Sequence, residues 1–312
     1  MFQQLKRRVP HFAVNAAYPV LMGGVARKAG LRLVGGAGHF DVVKGERTIR
    51  VSRKHTVYLQ DVIRYFDYYF SAVKAVPEGS SRVVDYSTPR YHDVTGYDRY
   101  PVFFPSLAEP MQTTEQYLAF AALSEGMTVL DLGAYSGLTS IVFSELVGGS
   151  GTVVAVEPDA INQVAVEINL ANYSRLTGRS VHFLRGAVWT DANGLDFSAE
   201  GNMGSSAESI VGGNRTKNLN RVDTLTLSGI VEKYSLGRVD FIKCDIEGAE
   251  AEIFKDAAFF AKFKPRLIVE THVMGGVDTE PACTEVLRGY GYRANVIEQY
   301  GVGLPLVEYT PS

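Results

Sequence analysis

The chain has only two cysteines in 312 residues, too few for a disulfide framework. They read as reduced thiols, the usage of a cytoplasmic protein. A basic excess is also missing: Lys plus Arg is 31 against 34 for Asp plus Glu, a formal charge of −3. Binding to a phosphate backbone draws on clusters of Lys and Arg, so nucleic acid is not an expected partner. No long apolar run is present. The nearest approach is Phe12 to Ala26, preceded by Lys6, Arg7 and Arg8 and interrupted by Asn15, Pro19, Gly23 and Gly24. It only faintly imitates a signal peptide, and an integral membrane span needs about 20 apolar residues. It reads as a surface helix with a basic end, with peripheral membrane contact as the other reading. Internal repeats and low-complexity tracts are absent as well.

What is there is core-forming material, 46% hydrophobic and 21% charged. General disorder is thereby excluded, and the length allows two domains or one α/β core with an extension. Residues 1–105 read as an N-terminal accessory region, a mixed α+β stretch of helices and hairpins. Phe40 to Val43 and Thr48 to Val51 flank a Lys44-Gly45-Glu46-Arg47 turn, a hairpin signal. Val57, Leu59, Val62, Ile63, Phe66, Phe70 and Val73 fall at helical spacing and predict one amphipathic helix over Val57 to Val73. Strand-like pieces broken by Pro89 and Pro101 fill Arg82 to Phe104.

Residues 106–312 have another texture. Short apolar runs (Thr128 to Leu132, Thr152 to Val156, Val181 to Leu184, Val239 to Cys244, Arg266 to Thr271) alternate with helical patterns (Thr114 to Leu123, Leu138 to Leu146, Ala160 to Tyr173, Ala249 to Phe260). Such alternation implies right-handed crossovers and a parallel sheet. Tyr292 to Glu298 and Val302 to Tyr309 then read as a terminal hairpin around Gly301. Gly186 to Val222, rich in Gly, Ser and Asn, breaks the alternation and reads as a functional loop, a lid over Gly201 to Gly213, or a β excursion. Asn214-Arg215-Thr216 matches a glycosylation acceptor by chance in such a protein.

One loop carries chemistry. Asp131-Leu132-Gly133-Ala134-Tyr135-Ser136-Gly137 leaves the first strand of this region and opens a helix. Gly133 permits a sharp turn, Gly137 a close helix start, and the helix N-terminus presents free N–H groups. Asp131 would repel a pyrophosphate but could pair with an ammonium, and S-adenosylmethionine ends in an amino acid beside a sulfonium. The next strand ends in Glu157-Pro158, where a carboxylate can accept bonds from both ribose hydroxyls. NAD would use such an acid equally, so an NAD(P)-dependent oxidoreductase on a Rossmann-like fold is a rival. Tyr135 in place of a second glycine, and the leading Asp131, argue against it.

These residues resemble a class I S-adenosylmethionine-dependent methyltransferase, and more narrowly the FkbM-like family. The resemblance rests on Val129 to Gly137, on Val154-Ala155-Val156-Glu157-Pro158, and above all on Asp240 to Glu250, which is similar to the family's IKxDxEGxE block. Tyr135 departs from it, standing where the family has Asn. The resemblance implies a Rossmann-like, mostly parallel seven-stranded sheet with an antiparallel C-terminal hairpin. It also implies O-methylation of a sugar or natural-product hydroxyl, and Ala187 and Val188 flanking the adenine. The expected cofactor contacts are thus Asp131, Gly133, Ala134, Tyr135, Ser136, Gly137, Glu157, Pro158, Ala187 and Val188.

Methyl transfer to an alcohol requires positioning of the acceptor and removal of its proton, by a base or a metal. Two strand ends offer candidates. Strand alternation puts Lys243 and Asp245 on one face, with Glu247 close by, and the bland reading of Asp245 and Glu247 is helix capping. Lys243 is a base or, more simply, part of a buried salt bridge. Glu270 and His272 share a face at the next strand end. Asp245, Glu270 and His272 could hold Mg²⁺ or Mn²⁺; alternatively His272 is the base and Glu270 orients it. Gln112 to Glu115 could close over the methionine end. The candidate catalytic residues are therefore Asp245, His272, Glu247 and Lys243. The expected partner is a small-molecule hydroxyl acceptor, a homo-oligomer being compatible with the sequence. The accessory region would shape the acceptor pocket or a dimer contact. A non-catalytic cofactor-binding scaffold is the remaining alternative.

Overall fold

The computed structural model describes residues 11–198, 206–207, 219–274 and 277–312, which divide into two units, Met1–Met111 and Gln112–Ser312. In the first, a five-stranded sheet has the order Arg32–Gly35, His39–Lys44, Arg47–Ser52, Ser81–Tyr86, Val76–Glu78. The Gly45 turn joins the second and third strands with φ +60°, where glycine carries no Cβ penalty. Arg47–Ser52 and Ser81–Tyr86 pair in parallel, which demands a crossover, and the helical segment between them supplies it.

That segment is not the single helix its spacing predicts. A 3₁₀ turn at Arg53–Tyr58 leads into helices Leu59–Arg64 and Phe66–Ser71, separated at Tyr65. A straight helix buries one stripe, whereas Phe66, Tyr68, Tyr69 and Phe70 are all buried. The break re-aims the second segment so that these neighbouring faces are covered together. Upstream, His11–Lys28 is a helix containing Pro19 and ending in Arg27 and Lys28. Lys6, Arg7 and Arg8 lie outside the described residues. No helix among the described residues is long and apolar enough to cross a membrane.

The second unit is built on seven strands: β1 Thr128–Leu132, β2 Thr152–Glu157, β3 His182–Arg185, β4 Phe241–Cys244, β5 Arg266–Glu270, β6 Tyr292–Glu298 and β7 Pro305–Pro311. Their order is β3-β2-β1-β4-β5-β7-β6. Pairings from β3 through β5 are parallel, and β7 runs antiparallel to both β5 and β6. The helices are α1 Met111–Ala121, α2 Leu138–Val147, α3 Ala160–Thr177, α4 Leu227–Lys233, α5 Glu250–Ile253, α6 Ala257–Lys262 and α7 Glu280–Gly289. This is the mostly parallel α/β sheet with a reversed C-terminal strand that the family resemblance implies.

Alternation along the strands makes two cores. Leu130, Leu132, Val154, Val156, Ile242 and Val269 face a cluster with Leu227, Ile230, Phe254 and Phe260. Val129, Val153, Phe241 and Ile268 face Tyr117, Phe120 and Phe143 on the other side. Both sheet faces being covered, the strands read as continuous apolar runs.

Two expected elements are redrawn, and the β excursion expected after β3 is present. Ala249 to Phe260 is two helices, because the Asp256 carboxylate caps Phe259 N–H at 3.1 Å and also accepts from Ser228 N–H and Oγ at 2.8 and 2.9 Å. The terminal hairpin resumes at Pro305, since residues 299–304 are spent on a turn closed by Gln299 N–H to Leu304 O at 2.8 Å. Within Gly186 to Val222 lies a three-stranded antiparallel excursion, with Leu195–Ser198 between Ser206–Ala207 and Leu219–Val222. The expected lid over Gly201 to Gly213, Ser206–Ala207 apart, and the Asn214-Arg215-Thr216 match lie outside the described residues.

Candidate active site

Ligands of open parallel sheets gather at the C-terminal strand ends, and the candidate residues of this chain meet there. Gly133 and Ala134 N–H donate to Val156 O at 3.0 and 2.9 Å, folding the loop over the end of β2. Gly133 has φ +84°, and a Cβ there would stand 1.8 Å from the Asp245 carbonyl oxygen. The glycine is thus required by two things at once, its left-handed backbone and the close approach of the β4 end. Tyr135 is left-handed too, φ +52°. Ser136 O accepts from Asn169 Nδ2 at 2.8 Å, and Gly137, φ +79°, starts α2. Thr114 Oγ1 lies 3.3 Å from Thr139 Oγ1, which sets the Gln112 to Glu115 segment beside the first turn of α2.

Glu157 closes this side. It is buried, and its carboxylate accepts the N–H of Tyr135 at 2.8 Å and of Asp159 at 2.9 Å. Burial pushes its pKa up to about 8 against those two hydrogen bonds. Pro158 follows at the helix entry, where Asp159 caps α3. The Glu157 carbonyl receives Gly186 N–H at 3.2 Å, so the chain leaving β3 passes directly alongside. Ala187 and Val188 come next, both buried and paired with Thr224 and Leu225.

Asp131 and Lys243 stand opposite each other on β1 and β4. Both are buried. Lys243 Nζ donates to Gly133 O at 2.7 Å and lies 3.5 Å from Asp131 Oδ1 and 3.6 Å from Asp245 Oδ2. Ser140 Oγ donates to Asp131 Oδ2 at 2.5 Å. Burial raises the Asp131 carboxyl above its ordinary range, with Lys243 and Ser140 pulling it back. Lys243 is therefore occupied as a counter-ion that ties the glycine loop to the β4 end.

Beyond β4 the chain turns through Glu247 at φ +56° and Gly248 at φ +102°. Neither Asp245 nor Glu247 caps α5, whose N-cap is Ala249 without a side-chain bond. They face His272 instead: its Nε2 is 3.5 Å from Asp245 Oδ1 and 3.7 Å from Glu247 Oε2. The other ring nitrogen, Nδ1, is 2.9 Å from Glu250 Oε1. Burial would lower the imidazole pKa, but Glu247, the hydrogen bond and charge of Glu250, and Asp245 outweigh it and raise it well above the ordinary value. The His272 backbone is locked by Thr279, whose Oγ1 accepts its N–H and whose N–H donates to its carbonyl, both at 2.9 Å.

The expectation that Glu270 orients His272 does not match this geometry. Glu270 is the last residue of β5, and His272 lies past the strand end, where strand alternation no longer governs side-chain direction. Glu270 Oε2 instead accepts from Gln299 Nε2 at 3.0 Å and Tyr117 OH at 3.4 Å. Glu250 does the orienting, and sequence reading passed over it as one letter of a motif. In the sequence it stands between Glu247 and Glu252 with nothing to set it apart; in the structure it is fully buried, and its Oε1 also takes Gly248 N–H at 3.0 Å. Tyr117 and Gln299 carried no motif signal at all. Asp245, Glu270 and His272 each bring one ligand-type atom to within 4.8 Å of the others.

The β1–β2 side fits an S-adenosylmethionine cofactor by the chemistry of its groups. Asp131 is a buried carboxylate whose Oδ1 already faces one ammonium, that of Lys243 at 3.5 Å, and so is of the chemistry that suits another. Glu157 is a buried acid raised in the absence of hydroxyl donors. The loop between them is wound by two left-handed glycines and a left-handed tyrosine.

No curated protein matches the chain. Among solved structures it is similar to a methyltransferase FkbM from Methylobacillus flagellatus KT, at 17% identity and TM-score 0.44, over 63% of this chain and 50% of that one. It therefore spans half the length of that relative. It is also similar to a precorrin-6y C5,15-methyltransferase from Geobacter metallireducens GS-15, at 15% identity and TM-score 0.42, over 65% and 89% of the two chains. A third likeness is to Aeropyrum pernix fibrillarin, at 13% identity and TM-score 0.39, over 89% and 99%. A family model described as the methyltransferase FkbM domain matches residues 131–294, more than half of the chain. That span runs from Asp131 through Glu157, the Lys243-to-Glu250 turn and His272, and the chain belongs to the FkbM family of S-adenosylmethionine-dependent methyltransferases.

Proposed function

We propose that this protein is an O-methyltransferase acting on a hydroxyl of a sugar or natural-product small molecule. The observation that carries the reading is the meeting of Asp245, Glu247 and His272 at the ends of β4 and β5, tied to the cofactor-side loop through Lys243 and Gly133. S-adenosylmethionine supplies an electrophilic methyl on its sulfonium. The acceptor's task is harder, because an alcohol is a poor nucleophile until its proton is taken. Asp245 and Glu247 are half-buried carboxylates at that place, and Glu247 serves as the proton acceptor. His272 is held through Nδ1 by Glu250 and turns Nε2 toward both carboxylates. Lys243 fixes the distance between loop and cluster. Asp131, Gly133, Ala134, Tyr135, Ser136, Gly137, Glu157, Pro158, Ala187 and Val188 form the cofactor side. The net charge of −3 supports a small acceptor over nucleic acid.

The test is incubation with ¹³C-methyl-labelled S-adenosylmethionine and a panel of sugars, polyketide alcohols, phenols, amines and activated carbons, read by NMR. A labelled methyl ether that is lost in Asp245→Asn is the expected result. Label arriving on nitrogen or carbon would replace the O-methyltransferase reading.

A further inference from the structure

Asp245, Glu247, Glu250 and Glu270 bring four carboxylates to one imidazole, that of His272. Lys243 is shared with Asp131 and the Gly133 carbonyl and reaches Asp245 at 3.6 Å. Glu250 and Glu270 are buried, and Asp245 and His272 are half-buried. Carboxylates gathered at low dielectric repel one another unless cations lie among them.

Deepening the O-methyltransferase reading, on which it rests, we infer that Asp245, Glu270 and His272 form a site for a divalent cation of the Mg²⁺ or Mn²⁺ class that polarises the acceptor hydroxyl. Three features support it. Ligand-type atoms of the three residues lie within 4.8 Å of one another, a spread that donors about 2.1–2.4 Å from a common centre can have. The donors are two carboxylate oxygens and one imidazole nitrogen, a set that suits Mn²⁺ and tolerates Mg²⁺. Each donor is also braced from behind. His272 has Nδ1 engaged by Glu250 at 2.9 Å, leaving Nε2 toward the acids. Glu270 takes Gln299 at 3.0 Å and Tyr117 at 3.4 Å. Ligating histidines and carboxylates are held in this way, by an outer hydrogen bond that fixes tautomer and orientation. Independently, Glu250 Oε2 is buried with no hydrogen-bond partner among the described residues.

The cation draws electron density from the acceptor oxygen, and Glu247 takes the proton. The O–H bond breaks, an O–CH₃ bond forms, and the S–CH₃ bond breaks with its electron pair left on sulfur as a neutral thioether. The balance is one sulfonium and one alcohol giving one thioether, one methyl ether and one proton.

The experiment uses tag-free, chelator-treated full-length protein titrated with Mn²⁺, following free Mn²⁺ by EPR. One Mn²⁺ per chain is expected, with affinity lowered about ten-fold or more in Asp245→Asn and in Glu270→Gln and unchanged in Glu232→Gln, an exposed control. Pulsed EPR of the unmutated protein should show coupling to one imidazole ¹⁴N, a readout that does not depend on the variants folding. No stoichiometric uptake, no nitrogen coupling, or equal affinity in all three variants overturns the proposal. Calorimetry with S-adenosylhomocysteine on the chelated protein is run alongside. Its binding persists if only the metal inference fails and is lost if the cofactor reading fails.

Discussion

Glu250 opens α5 and His272 lies in the segment after β5, yet Glu250 Oε1 and His272 Nδ1 stand 2.9 Å apart in the interior. This contact decides which imidazole nitrogen faces Asp245 and Glu247. Glu250→Gln should lower turnover on the accepted hydroxyl substrate by about 10–100-fold. Affinity for S-adenosylhomocysteine, whose contacts are proposed on the β1–β2 side, should stay unchanged. Steady-state kinetics with parallel calorimetry separates the two; equal losses in both would mean that Glu250 holds up the fold rather than the ring.

Lys243 and Asp131 form a buried pair across β1 and β4. Removing one partner strands the other's charge, so Lys243→Met should destabilise the protein by about 3–5 kcal/mol in chemical denaturation. Adding Asp131→Asn to it should recover much of that loss. Additive losses in the double variant would show that the pair is not the source of the effect.

Gly133→Ala is a steric test. The added methyl meets the Asp245 carbonyl at 1.8 Å and sits on a left-handed backbone. Strain and overpacking together should cost about 3 kcal/mol and abolish S-adenosylhomocysteine binding. Thermal melting and calorimetry read both. Gly149→Ala, with open space around it, is the matched control.

Glu157 predicts a proton linkage. Burial holds its pKa at about 8, so near pH 7 the ligand-free carboxyl is mostly protonated. Ribose hydroxyls donate to the ionised form and favour it. Cofactor binding near pH 7 should therefore release a proton, and at about pH 9.5, where the group is already ionised, it should not. Calorimetry in buffers of different ionisation enthalpy measures this, and Glu157→Gln should remove it. Proton uptake near pH 7 would invert the assignment.

Much of this was legible in the chain. The sheet could be read because each parallel strand, buried on both faces, is an uninterrupted apolar run. The glycine loop could be read because left-handed turns leave glycines at fixed places. The left-handed geometry of Tyr135 and Glu247 could not, since neither residue type announces it. Nor could the break at Tyr65, which is decided by where four bulky side chains must go. Residues beyond a strand end escape the two-residue period, and for that reason Glu250 rather than Glu270 stands behind His272. Tyr117 and Gln299 reach Glu270 from distant parts of the chain, a relation with no local signature.

The most direct measurement is a calorimetric titration with S-adenosylhomocysteine against the intact protein, Glu157→Ala and Asp245→Ala, with NAD as the comparison ligand. Saturable one-to-one binding in the intact protein, retained in Asp245→Ala, lost in Glu157→Ala and absent with NAD, is the predicted result. Binding of NAD, or no binding of S-adenosylhomocysteine at saturating concentration, would contradict it.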